Sequence, residues 1–373
     1  MIVIVGSGLA GTVAAARLRA LGREVTVVSD RPGATAMHGG GWLLGQAALA
    51  RLGWPAAALE AALASVEAGL PELALTRGPF RLLDTDGVLR TVDVAARSHT
   101  RPLPAHSAAV DLLGLGQPFA EMCSGFKPLA VEWPSWPEAF GRSFAAAAHR
   151  VDLDLGSLDV LIARLKSALV GQGVQGLLLP PVLGLTSVEA SRARLEEALG
   201  LPVAEALGTV PSTPGLRLWH GLAGWRRRMG LFDEVVGRVT RVDLAGRSVL
   251  VGDLPLPFGT LILATGGPIP GGLSTDRDVK EALVGLRTSP ELPDNWQAVS
   301  RPDRPGDAPL FRVGVPVDAQ FRPTRHDGSP VDSSLYAIGD LVTGSDPIAD
   351  RCSSGRALVS GWLAAQAIAE GAA

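Results

Sequence analysis

Three glycines near the start of the chain have the spacing of a turn that binds a pyrophosphate. They form the pattern G-x-G-x-x-G within the stretch IVIVGSGLAGT. In such a turn the first glycine permits a tight bend, the second lets the backbone approach the anion, and the third lets the following helix pack closely on the strand. Backbone N–H groups at the start of that helix then face the anion. The residues predicted to bind the nucleotide are Gly6, Ser7, Gly8, Leu9, Ala10 and Gly11.

The residues around these glycines predict the strands and the helix that hold the turn. Ile2–Val5 is a short apolar run rich in β-branched residues, as in a strand buried on both faces of a parallel sheet. Residues 12–21 are good helix formers, and Gly22 is placed to end the helix. The stretch EVTVVSD, residues 24–30, predicts a second strand. A strand, a glycine turn, a helix and a strand within about 30 residues are typical of a dinucleotide-binding unit.

The end of the second strand departs from the usual pattern. An acidic residue normally stands there and accepts the hydroxyls of the adenosine ribose. In this chain Ser29 holds that position and Asp30 follows it. Two interpretations of Asp30 stay open: it binds the ribose one residue later than usual, or it is a solvated acid in the turn.

Two later stretches, LPFGTLILATGG and VDSSLYAIGDLVTG, each predict a strand that ends in a turn. The strands are expected at 260–264 and 335–338. The turn residues that follow them are Thr265, Gly266, Gly339 and Asp340. This order of motifs resembles the two-dinucleotide-fold flavoprotein superfamily. The resemblance implies that the first turn passes close to the cofactor and that the second hydrogen-bonds the ribityl and phosphate region of FAD. FAD is therefore the leading cofactor, FMN stays open as an alternative, and NAD(P) is a lesser one.

A helix predicted at 356–369 follows directly after Ser353, Ser354 and Gly355. The positive end of its dipole would suit the N1 and C2 carbonyl region of a flavin, which becomes anionic on reduction. These three residues are therefore candidate cofactor contacts. The alternative is an ordinary surface helix capped by serine.

Several of these stretches carry a narrower resemblance. GSGLAG, PPVLGL, PSTPGLRL, ATGGPIPGGL, FRVGVPVDAQFRPT and LYAIGDLVTGSDPIADRCSSG are similar to motifs of the family formed by the B subunit of anaerobic glycerol-3-phosphate dehydrogenase. The resemblance covers the first 45 residues and most of the chain from Leu177 onward, whereas residues 54–150 match poorly. The chain departs from the family by Ser353 and Ser354, where glycines are usual, and by a shorter middle region.

The family resemblance implies a flavin-dependent oxidoreductase subunit. In such a complex sn-glycerol 3-phosphate is oxidised to dihydroxyacetone phosphate and the electrons pass to quinone. A companion flavoprotein subunit would hold the substrate-oxidising flavin, and a third, iron–sulfur subunit would provide the membrane anchor. This chain would then relay electrons, peripheral to the inner face of the cell membrane through a partner. Two other classes stay open: a self-contained FAD-dependent dehydrogenase or reductase of another small molecule, and a flavin-fold assembly module without redox work.

Few side chains are candidates for catalysis. His38, in the loop ATAMHGGGW, would be a base or a hydrogen-bond donor beside the flavin, and Gly40 of the same loop is a predicted cofactor contact. Arg351 would neutralise a phosphate or a reduced flavin, or would pair with Asp346 or Asp350. The run Arg226–Arg228 predicts a solvated helix face, with docking to an acidic partner as the alternative.

The predicted fold class is α/β, with a Rossmann-like, glutathione-reductase-like FAD-binding domain whose parallel sheet is assembled from split segments, plus an inserted α+β cap domain. The FAD-binding domain is expected at 1–45, 225–275 and 310–373, and the cap, for substrate or partner contacts, at 46–224 and 276–309. Within the cap, the DG turn in PFRLLDTDGVLRTVDV predicts a hairpin. The stretch SVEASRARLEEALG predicts an amphipathic helix capped by Ser187 and ended by Gly200.

Composition limits the partners. The 373-residue chain is 47% hydrophobic, enough to bury a large core. Its net charge is −3 without a basic stripe, so we expect no nucleic-acid partner. The start of the chain lacks the basic flank of a signal peptide, and no apolar run reaches the roughly 20 residues that cross a bilayer, which predicts a cytoplasmic protein. Cys123 and Cys352 form no metal-binding motif, so no metal site is predicted.

Overall fold

The structure, a computed structural model, describes residues 1–30, 32–115, 118–133, 142–231, 235–275, 278–292 and 308–371. The helices are α1 Leu9–Ala20, α2 Gln46–Arg51, α3 Ala56–Gly69, α4 Arg97–Thr100, α5 Phe119–Met122, α6 Phe144–Leu153, α7 Leu155–Leu169, α8 Val188–Leu199, α9 Thr213–Arg228 and α10 Ser353–Gly371. The strands are β1 Ile2–Val5, β2 Val25–Ser29, β3 Gly41–Trp42, β4 Leu75–Leu83, β5 Leu89–Ala96, β6 Ser107–Leu113, β7 Lys127–Glu132, β8 Gly176–Leu179, β9 Val203–Glu205, β10 Val235–Val236, β11 Val239–Asp243, β12 Ser248–Val251, β13 Leu254–Pro257, β14 Thr260–Leu263 and β15 Leu335–Ala337.

The chain divides into two compact units, each made of separate segments. Unit 1 comprises Met1–Ala34, Leu43–Gly69 and Leu222–Ala373. Unit 2 comprises Thr35–Trp42 and Leu70–Gly221.

A five-stranded parallel sheet is the centre of unit 1. Its strand order is β10-β2-β1-β14-β15. The first strand is buried along its whole length and pairs in parallel with β2 and β14, so that Ile4 lies opposite Val27 and Ile262. These apolar, β-branched runs have no polar face because both faces of the sheet are covered. The strands predicted from the sequence in this part of the chain are confirmed.

Helix α10 packs against α1 and starts earlier than predicted. It begins at Ser353, so Ser353, Ser354 and Gly355 form its first turn instead of preceding it. The two helices share a core with the sheet through residues such as Ala14, Leu18 and Ile368, all at most 5% exposed.

A four-stranded parallel sheet forms much of unit 2, with the order β7-β6-β8-β9. Its core contains Leu161, Leu165 and Leu179, which are fully buried. The sequence analysis did not anticipate this sheet. The unit also contains a three-stranded sheet, β3-β5-β4, and the predicted hairpin is confirmed as the antiparallel pair β4 and β5.

The predicted helix at the end of the cap is also confirmed, with one difference at its start. Helix α8 begins after Ser187 and ends before Gly200, whose φ of +67° suits glycine. The Ser187 hydroxyl does not cap the helix. It donates instead to Asp152 Oδ1 at 2.6 Å, and the Asp152 carboxylate accepts the N–H groups of Leu185 and Thr186.

The boundaries of the two units differ from those of the predicted domains. Residues 46–69 and 278–292 pack in unit 1, although the sequence analysis placed them in the cap. Helix α3 buries Leu59 and Leu63 within that unit, and Leu286 is part of the apolar core beside the parallel sheet. Residues 293–307 of the predicted cap lie outside the described residues. The cofactor and cap roles of these domains stay a proposal.

A buried ion pair lies in unit 2. Arg217 Nη1 and Nη2 donate to the two carboxylate oxygens of Glu205 at 2.6 and 2.9 Å, and both side chains are at most 3% exposed. Glu205 also accepts the N–H of Leu183 at 2.9 Å, and Arg217 Nε donates to the Gly184 carbonyl at 2.7 Å. Burial alone would raise the pKa of Glu205, but the Arg217 guanidinium, together with His99 and the Leu183 N–H, offsets it and keeps that pKa below its ordinary value.

We expect Arg217→Met to destabilise the protein by about 3–5 kcal/mol, because it leaves the Glu205 carboxylate buried without a cation. Arg194→Met is the matched control, since Arg194 pairs with Asp159 at the surface and such pairs contribute less than about 1 kcal/mol. Urea unfolding followed by tryptophan fluorescence measures both. Equal effects of the two variants would contradict the prediction.

Candidate nucleotide-binding site

The glycine turn between β1 and α1 is closed by direct backbone contacts. Gly6 has a φ of +116°, and its N–H donates to the Val28 carbonyl at 2.8 Å. A Cβ on Gly6 would lie 2.2 Å from the Ala264 carbonyl oxygen, and one on Gly11 would lie 2.0 Å from the Gly6 carbonyl oxygen. Neither position therefore accepts a side chain. Gly8 is the N-cap residue of α1, and the first N–H groups of a helix have no acceptor within it.

A buried arginine supports this turn from behind. Arg226 is 2% exposed, and its Nη1 donates to the Ser7 carbonyl oxygen and to Thr12 Oγ1, both at 2.9 Å. The predicted solvated face is therefore wrong for Arg226, whereas Arg227 and Arg228 are exposed. A run of three arginines on a helix does not reveal which of them faces inward, so the sequence analysis missed this contact.

The turns after β14 and β15 lie beside the glycine turn. Gly266 and Gly339 have φ values of +77° and +71°. A Cβ on Gly267 would lie 3.2 Å from the Asp340 carbonyl oxygen, and one on Gly339 would lie 3.0 Å from the Ala10 Cβ. The three motifs found in the sequence thus meet at the carboxyl ends of neighbouring strands, where ligands bind in open parallel sheets.

Two buried oxygens in these turns have no hydrogen-bond partner. They are Asp340 Oδ1 and Thr265 Oγ1. Burial raises the pKa of Asp340, and the nearby Arg356 guanidinium opposes that rise. Leaving a buried polar atom without a partner costs free energy, so such atoms call for an explanation. A hydroxyl of a bound ligand would donate to Asp340 and remove that cost, which is how these residues fit a ribityl or ribose group.

The start of α10 is packed against its own unit. The N–H of Gly355 donates to the Leu43 carbonyl at 3.1 Å, and a Cβ on Gly355 would lie 2.0 Å from the Leu44 carbonyl oxygen. This contact explains the glycine without a ligand. Ser354 is buried and Ser353 is half-buried.

Arg356, which the sequence analysis did not single out, supports the turn that contains Asp340. It is 2% exposed, and it donates to the carbonyl oxygens of Ser345, at 2.7 Å, and Val342. Ser360 Oγ accepts the N–H of Gly339 at 2.8 Å. The side chains of Arg356 and Ser360 on helix α10 therefore fix the turn by hydrogen bonds to its backbone.

Two predicted site residues of unit 1 lie at its surface. Asp30 is exposed and directly follows the half-buried Ser29 at the end of β2. Arg351 is also exposed and has a φ of +51°. The ribose role of Asp30 and the anion role of Arg351 stay predictions.

His38 and Gly40 belong to unit 2. The N–H of Gly40 donates to His38 Nδ1 at 3.1 Å, and the imidazole packs edge-on against Trp42 with ring centroids 5.6 Å apart. Desolvation and the neighbouring His99 lower the pKa of His38 to about 4. The imidazole is therefore neutral at pH 7. A Cβ on Gly40 in place of hydrogen would lie 2.8 Å from the Pro214 Cβ.

The sheet order and the glycine turn define the class of unit 1. A parallel sheet whose first strand leads through G-x-G-x-x-G into a helix is a Rossmann-like nucleotide-binding fold. A family model described as an NAD(P)-binding Rossmann-like domain matches residues 4–40. Unit 1 thus has a fold of the dinucleotide-binding type.

Curated relatives carry the resemblance further. The chain is 32% identical over 208 residues to the B subunit of anaerobic glycerol-3-phosphate dehydrogenase from Pectobacterium carotovorum, covering 54% of this chain and 48% of the relative. It is 31% identical over 199 residues to the probable B subunit of the same enzyme from Halobacterium salinarum, covering 51% and 46%. The resemblance stated from the motifs is confirmed. The chain spans about half the length of the curated relatives it matches.

A solved structure matches more weakly. The 3-ketosteroid delta1-dehydrogenase from Sterolibacterium denitrificans aligns over 99% of both chains with 12% identity and a TM-score of 0.45. In the part of the chain that the structure describes, no helix has both the length and the apolar character to cross a membrane.

We expect Gly11→Ala to lower the cofactor content of the purified protein at least about tenfold, because the new Cβ collides with the Gly6 carbonyl and opens the turn. Gly22→Ala is the control at the other end of α1, where a Cβ meets open space. Its φ of +74° costs about 1–2 kcal/mol of stability and leaves the site unchanged. Absorbance and mass spectrometry of the released cofactor measure both. Full cofactor content in Gly11→Ala would refute the prediction.

We expect the His38 imidazole to titrate near pH 4 and to stay neutral between pH 6 and 8. An NMR titration of the imidazole C–H signals measures this, with His38→Gln to assign the resonance. A midpoint near the ordinary value of about 6.5 would show a solvated imidazole and contradict the described surroundings.

Proposed function

We propose that this chain binds FAD and serves as an electron-relaying subunit of an oxidoreductase that acts on sn-glycerol 3-phosphate. The observation that carries the proposal is the meeting of three turns at one sheet edge, with Asp340 Oδ1 and Thr265 Oγ1 buried and unpartnered there. The substrate and the subunit role are proposed from the relatives, which are B subunits of anaerobic glycerol-3-phosphate dehydrogenases. FMN stays the alternative flavin.

The proposed reaction oxidises the secondary alcohol of sn-glycerol 3-phosphate to the ketone of dihydroxyacetone phosphate. This removes two electrons and two protons, and quinone takes up both as it becomes quinol. Bound FAD supplies a carrier for electron pairs. The residues of this chain would hold it: backbone N–H groups after Gly6 would bind the pyrophosphate, and the Asp340 carboxylate would accept a hydrogen bond from a hydroxyl of the cofactor.

We assign substrate oxidation to a companion flavoprotein subunit and the membrane contact to an iron–sulfur subunit. His38 supports this division. A general base works best when its pKa lies near the operating pH, and a pKa of about 4 makes His38 a weak base at neutral pH. We also propose that the chain is cytoplasmic and that its partners hold it at the inner face of the membrane.

An anaerobic absorbance titration of the purified chain tests the proposal, with the released cofactor identified by mass. We expect a flavin that stays oxidised when glycerol 3-phosphate is added and bleaches with dithionite or a quinol analogue. Bleaching by glycerol 3-phosphate alone would place substrate oxidation on this chain and overturn the relay role. A chain without flavin would overturn the proposal and leave a binding or assembly module.

A further inference from the structure

We infer that Arg226 is a positioning residue for the pyrophosphate of the bound dinucleotide. Its guanidinium fixes the Ser7–Gly8 peptide, so that the Gly8 N–H is directed at the anion before the ligand arrives. The inference rests on the proposed dinucleotide binding and adds to it a residue far along the chain from the glycine motif.

The guanidinium of Arg226 contacts the glycine turn directly. Arg226 Nη1 donates both to the Ser7 carbonyl oxygen and to Thr12 Oγ1 at 2.9 Å, and Thr12 Oγ1 donates to the same carbonyl at 3.2 Å. Ser7, Thr12 and Arg226 are all at most 5% exposed. Two donors thus hold one carbonyl in place within the interior of unit 1.

The geometry of the Ser7–Gly8 peptide determines where the Gly8 N–H points. The Ser7–Gly8 bond is trans, and in a planar trans peptide the C=O and N–H groups point in opposite directions. Because the carbonyl points inward to Arg226, the Gly8 N–H points away from that side chain. In a G-x-G-x-x-G turn the second glycine is where the backbone approaches the pyrophosphate. A charged donor on the carbonyl also polarises the peptide and strengthens its N–H as a donor.

An arginine suits position 226 better than a lysine would. One guanidinium nitrogen reaches two acceptors at once from a rigid plane, whereas a lysine presents a flexible point charge. The neighbouring Arg227 is exposed, so the burial is particular to Arg226 and not to the basic run as a whole. Its burial also excludes Arg226 from the alternative role of docking an acidic partner.

Titration of FAD and riboflavin into the apo form of the full chain, followed by flavin fluorescence, tests the inference. Riboflavin shares the ring system and the ribityl chain but lacks the pyrophosphate. We expect Arg226→Met to raise the Kd of FAD about tenfold, equal to about 1.4 kcal/mol, and to leave the Kd of riboflavin within twofold. Arg227→Met, the control of equal charge change, should alter neither value.

A merely structural role of Arg226 would weaken both flavins to the same extent, and that result would overturn the inference. So would a Kd of FAD in Arg226→Met that equals that of Arg227→Met. If Arg226→Met does not fold, Arg226→Lys carries the test, with an expected loss of about threefold for FAD only. If the unsubstituted chain binds no FAD, the proposed function is refuted together with the inference. If the unsubstituted chain binds FAD and Arg226→Met binds it as Arg227→Met does, only the inference is refuted.

Discussion

The close approach of two backbone segments, at Gly6 and Gly11, is the constraint on which the nucleotide-binding end of unit 1 depends. Helix α1 begins within four residues of the end of β1, so the third turn residue of the motif lies against the first. Two other segments of the chain also pack closely against this turn and the start of α1. The Ala264 carbonyl lies beside Gly6, and α10 crosses α1 at Gly361, where a Cβ would lie 2.5 Å from the Ala10 carbonyl oxygen. A side chain at any of these glycines would separate elements that must touch.

Local signals predicted the elements of this site well. The apolar run before Gly6 is short and rich in β-branched residues, which favours a strand buried on both faces over a buried helix, and β2, β14 and β15 of the same sheet have a similar character. The hairpin around the DG turn and the helix that ends before Gly200 were also predicted correctly. Turn and cap residues determine the backbone conformation of only the few residues next to them. Such signals need no information from distant parts of the chain.

Features that depend on distant segments were missed. The parallel sheet of unit 2 joins strands that are up to about a hundred residues apart, and no single one of them reveals its neighbours. Residues 46–69, which were predicted in the cap, pack in unit 1, because an apolar helix does not reveal its partner in the fold from its own sequence. Arg226 was predicted to be solvated for a related reason: arginine is seldom buried, and its partners at Ser7 and Thr12 lie more than two hundred positions away.

Among the described residues of unit 1, Arg226 and Arg356 are buried, and Arg226 bears on how a chain of net charge −3 would bind an anion under the proposed function. Arg226 and Arg356 each donate to carbonyl oxygens of turns at the candidate site, and each is 2% exposed. Under the proposed function, the held Ser7 carbonyl directs the Gly8 N–H to the ligand side, where helix N-termini and backbone N–H groups favour negative charge. The N–H groups beside the carbonyls that Arg356 holds are bonded within the protein, that of Thr343 to the Val315 carbonyl at 3.1 Å and that of Asp346 to Asp350 Oδ2 at 3.0 Å, so Arg356 stabilises its turn without freeing a donor. A cation placed behind the glycine turn would therefore act through a peptide group instead of touching the ligand. Such a site would need no basic surface, which agrees with the scattered basic residues of this chain.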